Sequence, residues 1–157
     1  MHAPLPFWLL LAAVLSQADS ALERGLEAFR RNDFPAAARE FQQAIREQPS
    51  NARAHKFLGM AYSAAEKYQL AEEPFRRACS LNPHEENACY YLGRTYYALN
   101  RFDESEKAFG LALRNTRQRG RPLYGLALTL EALGRNSEAE RHYRDALRAG
   151  EKSAAAD

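Results

Sequence analysis

Between positions 58 and 78 the apolar residues fall into two runs, Leu58, Ala61, Tyr62 and Ala65, then Leu70, Ala71, Phe75 and Ala78. Within each run the intervals of three and four residues mark the apolar stripe of an amphipathic helix. The pattern predicts two short helices folded back on each other. The same arrangement then recurs: Gly25, Gly59, Gly93 and Ala127 stand 34 residues apart, and Ala44, Ala78, Ala112 and Ala146 follow each of them after nineteen residues. A gapless period of this length means one helical hairpin copied four times, each copy needing a neighbour to bury its apolar face. The small columns let the two helices of a hairpin approach closely, and the large column of Phe75, Phe109 and Tyr143 fills the space between successive hairpins. Asn32-Asp33-Phe34-Pro35 places proline at the start of a helix, while Gln48-Pro49-Ser50-Asn51 and Asn82-Pro83 close units. Pro74 falls inside a predicted helix, where it removes the hydrogen bond to the Leu70 carbonyl and predicts a local bend.

Further columns run alongside: Leu58, Leu92 and Leu126; Tyr62, Tyr96 and Leu130; Tyr68 and Phe102; Ala71 and Ala139; Pro49 and Pro83. Taken together they resemble the tetratricopeptide repeat family over residues 18 to 151. Arg24 stands where that pattern has leucine, Asn136 where it has an aromatic, and Arg117 and Glu151 where it has the closing proline. The resemblance implies an all-α, right-handed solenoid of antiparallel helix hairpins. Its four repeats would span 18–51, 52–85, 86–119 and 120–151, followed by a short polar tail at 152–157. It also implies a non-catalytic scaffold that binds a protein or extended peptide along its concave side.

With 157 residues and 46% hydrophobic content, the chain can bury about 70% of its unfolded surface, enough for one domain. A net charge of +2, from 22 basic and 20 acidic residues, lacks the electrostatic footprint of a nucleic-acid binder. The basic residues are unevenly spread, however, because Arg114, Arg117, Arg119 and Arg121 cluster at the turn between the third and fourth units. That cluster reads either as a solvated turn or as an anionic docking point.

The first eighteen residues stand apart from the repeats. Leu5 to Leu15 is a nearly unbroken apolar run of eleven residues, and Ser16-Gln17-Ala18 supplies small residues of the kind a signal peptidase reads. The run is too short to span a bilayer core of about 30 Å, which favours a cleaved secretory signal over a membrane anchor. The expectation is an exported chain, periplasmic or secreted, beginning near Asp19 or Ala21 and acting in envelope assembly.

Export bears on the two cysteines. Cys79 shares a column with Ile45, Leu113 and Leu147, and Cys89 one with Ala21, His55 and Leu123. Both columns face the junction between adjacent hairpins, so the pair reads either as a disulfide or as two buried thiols. A metal site with His84 has too few ligands. No cofactor is expected, and no catalytic constellation is visible. The sequence has no phosphate-cradling glycine loop, no paired-histidine zinc helix and no serine elbow, and Glu72-Glu73 and Glu85-Glu86 splay apart on consecutive positions.

Binding remains as the function. If the first helix of each hairpin lines the concave side, the stripe turned away from the core runs through Asp19, Leu22, Leu26 and Phe29. It continues as Arg53, Lys56, Met60 and Ser63, then Asn87, Tyr90, Arg94 and Tyr97, then Arg121, Tyr124, Leu128 and Glu131. Phe29, Arg53, Lys56, Met60, Tyr90, Arg94, Tyr97, Arg121, Tyr124 and Leu128 are its candidate ligand contacts, because tyrosine, arginine, phenylalanine and methionine dominate protein interfaces. The excess of positive charge in the stripe predicts a ligand with acidic groups beside aromatic or apolar anchors. Some members of the family clamp a partner's terminal carboxylate here. Lys56 suits such a clamp, whereas Met60, Tyr91 and Gly125 do not. Tyrosines interleaved with arginines leave a single-stranded nucleic-acid binder as the alternative. A second copy, docking on the face of Tyr143 and Leu147, is the other partner expected.

Overall fold

The computed structural model describes residues 21–154 apart from Glu86, with side chains through residue 150. The expected signal at 1–18, and Asp19, lie outside the described residues. Eight helices make up the described fold: α1 over 21–30, α2 (Phe34–Glu47), α3 (Ala52–Ala64), α4 (Tyr68–Leu81), α5 (Ala88–Ala98), α6 (Phe102–Asn115), α7 (Gly120–Ala132) and α8 (Asn136–Ala154). They pair in sequence into four hairpins. Helix α4 runs uninterrupted through Pro74, whose ring is buried, and α8 continues past residue 151, where the fourth unit was expected to end.

The caps have readable causes. The Asp33 carboxylate accepts the Ala36 N–H and the Asn51 side chain accepts the Ala54 N–H, each at 3.0 Å, which satisfies donors that the first turn of a helix leaves free. Each hairpin turn ends on a residue in the left-handed region, Asn32, Glu66, Asn100 and Gly134, at the same 34-residue interval. The residue after each returns its N–H five positions back, as Asp33 to Ala28 and Arg101 to Tyr96, and so closes a Schellman turn.

Packing follows from the glycine column. A Cβ at Gly93 would lie 2.8 Å from Cδ1 of Phe109, and one at Gly59 would lie 2.7 Å from the same atom of Phe75, so the bare backbone is what admits each ring into its own hairpin. The same rings reach the next hairpin. Phe41 stacks on Phe57 at 5.6 Å, Phe75 on Tyr91 at 5.5 Å, and Phe109 lies against both Tyr90 and Gly125. One phenylalanine column therefore fills the hairpin and the junction together.

Ion pairs reinforce two junctions. Arg101, which precedes α6, binds Glu72 of the preceding hairpin at 2.7 Å and Glu104 in the first turn of α6 at 2.9 Å. One repeat later, Arg135 binds Glu106 at 2.9 Å and Glu138 at 2.7 Å. Lys67 and Ala38 occupy the corresponding positions at the first junction. There Gln42 donates to the Tyr62 hydroxyl at 2.8 Å instead. At the last junction the buried Ser105 hydroxyl donates to the Gly93 carbonyl at 2.9 Å and meets the Thr129 hydroxyl at 3.0 Å.

The hydrogen bonds from Arg101 and Arg135 hold the Glu104 and Glu138 carboxyls below the usual 4.5. A lowered pKa gives stability that is present above the ordinary carboxylate range and lost as pH falls through it. Wild type should therefore melt above an Arg101→Gln/Arg135→Gln variant at pH 7, and the gap should close toward pH 3. A gap unchanged at pH 3 would show that the clamps act by packing alone.

Candidate functional site

Helix α3 touches α5 and α5 touches α7, so the first helices of the hairpins lie side by side as an inner layer. Their shared face holds a groove of about 740 Å³. Phe29 on α1 and Met60 on α3 line one part of it; Tyr90, Arg94 and Tyr97 on α5 line the middle; Tyr124 and Leu128 on α7 line the other end. The floor is made by Phe75 and Phe109 of the packing column. Helical periodicity puts these residues on one face, since 90, 94 and 97, and likewise 124 and 128, stand three or four apart.

The groove is aromatic and nearly uncharged. Tyr91 stacks on Phe75, and its edge meets Tyr90 with ring centres 5.4 Å apart. Tyr97 packs edge-on against Phe102. Arg94 is the charged residue among the described lining. At the α7 end, Tyr143 donates a hydrogen bond of 2.6 Å to the Glu131 carboxylate, and its ring lies 5.6 Å from that of Tyr124. Burial pushes the Tyr143 hydroxyl up to about 12, and the bond to Glu131 adds to that effect. The hydroxyl therefore remains a donor at neutral pH, with Glu131 committed to it.

Three expected contacts sit elsewhere. Lys56 is buried, and its ammonium lies 2.7 Å from the Glu85 carboxylate in the α4–α5 connection. A buried ammonium requires such a partner, so Lys56 is a structural cation locking that connection, and it does not line the groove. Arg53 lies with its guanidinium 5.6 Å from the centre of the Phe57 ring, outside the groove. Arg121 places its guanidinium 4.8 Å from the centre of the Tyr90 ring and lines a neighbouring cavity instead. Tyr68, Thr95 and Ala98 join the lining without having belonged to the expected stripe. Tyr68 and Thr95 lie in columns that the helical pattern assigns to packing, and they line the groove because neighbouring helices leave a gap there.

Cys79 and Cys89 are joined by a disulfide that ties the end of α4 to the start of α5. It brackets the connection that carries Glu85. Among the described residues, no cluster of three His, Cys, Asp or Glu is placed to hold a metal ion, and no helix is long and apolar enough to cross a membrane.

Comparison with known proteins places this geometry. A structure of MamA from MSR-1 is 26% identical and superposes with a TM-score of 0.76 over 87% of this chain and 78% of its own. PilF of Pseudomonas aeruginosa is 22% identical at a TM-score of 0.76, covering 87% and 63%. The first repeat domain of Spaghetti (RPAP3), solved with a bound HSP90 peptide, is 21% identical at 0.70, covering 76% and 97%. At these identities the last two speak for the fold alone. No curated protein sequence matches. Family profiles described as tetratricopeptide repeat match residues 22–86, 63–127 and 123–154. These overlap into one span from 22 to 154, and the chain belongs to the tetratricopeptide repeat family, whose members are non-catalytic protein-interaction scaffolds.

Proposed function

We propose that this chain is an adaptor that holds an extended segment of a partner protein across the inner face of α1, α3, α5 and α7. The observation that carries the reading is the groove itself: about 740 Å³ open along one face, walled by Tyr90, Tyr97 and Tyr124 with a single guanidinium from Arg94. Aromatic walls bury large area at low entropic cost, and an isolated arginine supplies orientation, which is the make-up of an interface centre. The similar fold of the repeat domain solved with an HSP90 peptide supports a peptide as the class of ligand. The apolar run at 5–15 and the Cys79–Cys89 bond support action outside the cytoplasm, in assembly at the cell envelope.

The test uses the partner captured from an envelope extract. Arg94→Ala and Tyr124→Ala should each weaken binding about thirtyfold, the equivalent of about 2 kcal/mol at an interface centre. Both residues are exposed, so helical content and melting temperature should hold. Tyr97 is a poorer probe because it is half-buried, so its truncation would also cost packing. The Arg94 effect should shrink as salt rises, whereas that of Tyr124 should not. Undiminished binding by the double variant would move the site off this face.

A further inference from the structure

A second cavity, of about 840 Å³, opens where the α6–α7 connection meets the end of α8. Arg117, Arg119 and Arg121 line it from the connection and the first turn of α7, and Arg148 lines it from α8. All four are exposed. Asp145 is the acidic residue in the described lining, and its carboxylate lies 3.7 Å from the Arg148 guanidinium. Three positive charges thus remain after that pair is discounted. Arg117 and Arg119 have no ion-pair partner among the described residues. Like charges gathered around one concavity focus their field into it and favour an anionic occupant.

The cavity adjoins the groove. Arg121 forms part of the cavity wall, and the Tyr90 ring beneath its guanidinium lines the groove. Arg94 approaches the same ring at 5.9 Å. Helix α7 serves both spaces: Gly120, Arg121 and Leu123 line the cavity, and Tyr124, Gly125 and Leu128 line the groove. One helical turn advances about 5.4 Å, and an extended chain covers that in about two residues.

We propose that the arginine cavity docks an acidic flank of the same segment that the groove holds, so that the ligand carries aromatic or apolar anchors followed by a run of Asp or Glu. The inference rests on the groove reading above. Carboxylates fit better than a nucleic-acid backbone. A polyanionic strand would need cations along its whole track, whereas the groove lining offers Arg94 and the remaining charge is gathered at one end.

The probe is a random dodecapeptide display library selected on the full chain and on an Arg117→Ala/Arg119→Ala/Arg148→Ala variant. Arg121 is left in place because it packs on Tyr90. On wild type, enriched peptides should carry aromatic anchors beside two or more acidic residues; on the variant, the anchors should persist and the acidic flank should vanish. Measured singly by fluorescence anisotropy, a wild-type-selected peptide should lose about tenfold in affinity on the variant and most of that difference at high salt. Aromatic anchors whose acidic flank survives the triple substitution, or never arises, overturn the cavity proposal and leave the groove standing. Acidic enrichment lost on the variant, without aromatic anchors, upholds the cavity and overturns the groove. Failure to enrich any peptide, with tight binding of labelled oligothymidine that the triple variant abolishes, overturns both.

Discussion

Phe109→Ala is expected to lower the free energy of unfolding by about 4 kcal/mol, the middle of the range for a buried phenylalanine. The ring is 1% exposed and lies over Gly93 in its own hairpin, against Gly125 in the next, and beside Tyr90. Two of those walls are glycine, with no side chain to swing into the space, so the cavity cannot close locally. The effect should appear in urea unfolding followed by circular dichroism. Leu111→Ala, on the outer face of the same helix and 36% exposed, should stay within about 0.5 kcal/mol of wild type. A loss at Phe109 below about 2 kcal/mol would mean that α5, α6 and α7 slide together, and the glycine argument would fail.

Removing the disulfide comes next in size. The bonded cysteines are ten residues apart, and closing so short a loop in the unfolded chain is worth about 3 kcal/mol in the chain-entropy account. Cys79→Ala/Cys89→Ala should cost that amount, and reducing the wild type with dithiothreitol should reproduce it. Alanine suits the test because both cysteines are buried and serine would bring in an unpaired hydroxyl. A loss under about 1 kcal/mol would indicate free thiols in solution. Intact mass of the protein from its native host adds the compartment: an oxidised chain beginning near Asp19 or Ala21 fits export, and a full-length reduced chain in the cytoplasm excludes it.

The hairpins were legible because periodicity in a repeat protein is written several times over, so that a substitution such as Arg24 or Asn136 leaves the other columns to carry the frame. The turn column was less so. Asn32, Asn100 and Gly134 suit a left-handed residue, but Glu66 has no such preference and takes that backbone because the hairpin closes there regardless. In the groove, helical spacing found Phe29, Met60, Tyr90, Arg94, Tyr97, Tyr124 and Leu128, since a stripe is a property of one helix. Lys56 escaped it because its fate depends on Glu85, far along the chain in a connection that no periodicity describes. Arg101 and Arg135, by contrast, repeat at the family interval with Glu72 and Glu106 at a constant offset, and that column was open to reading.

The uneven distribution of those clamps reaches the ligand. Among the described residues, the second junction has Arg101–Glu72, Lys56–Glu85 and the disulfide, and the third has Arg135–Glu106 and the Ser105–Thr129 contact, while the first has neither an arginine clamp nor a bridge. A stack held by nearest-neighbour contacts opens first where its ties are fewest, so α1 and α2, joined to the rest of the described residues by the Phe41–Phe57 stack and the Gln42–Tyr62 hydrogen bond without an ion pair or a bridge, are expected to separate first. Phe29 goes with them. A segment that stops at Met60 meets a preformed surface, but one that extends to Phe29 must also hold the first hairpin in place and gives up part of its affinity to do so.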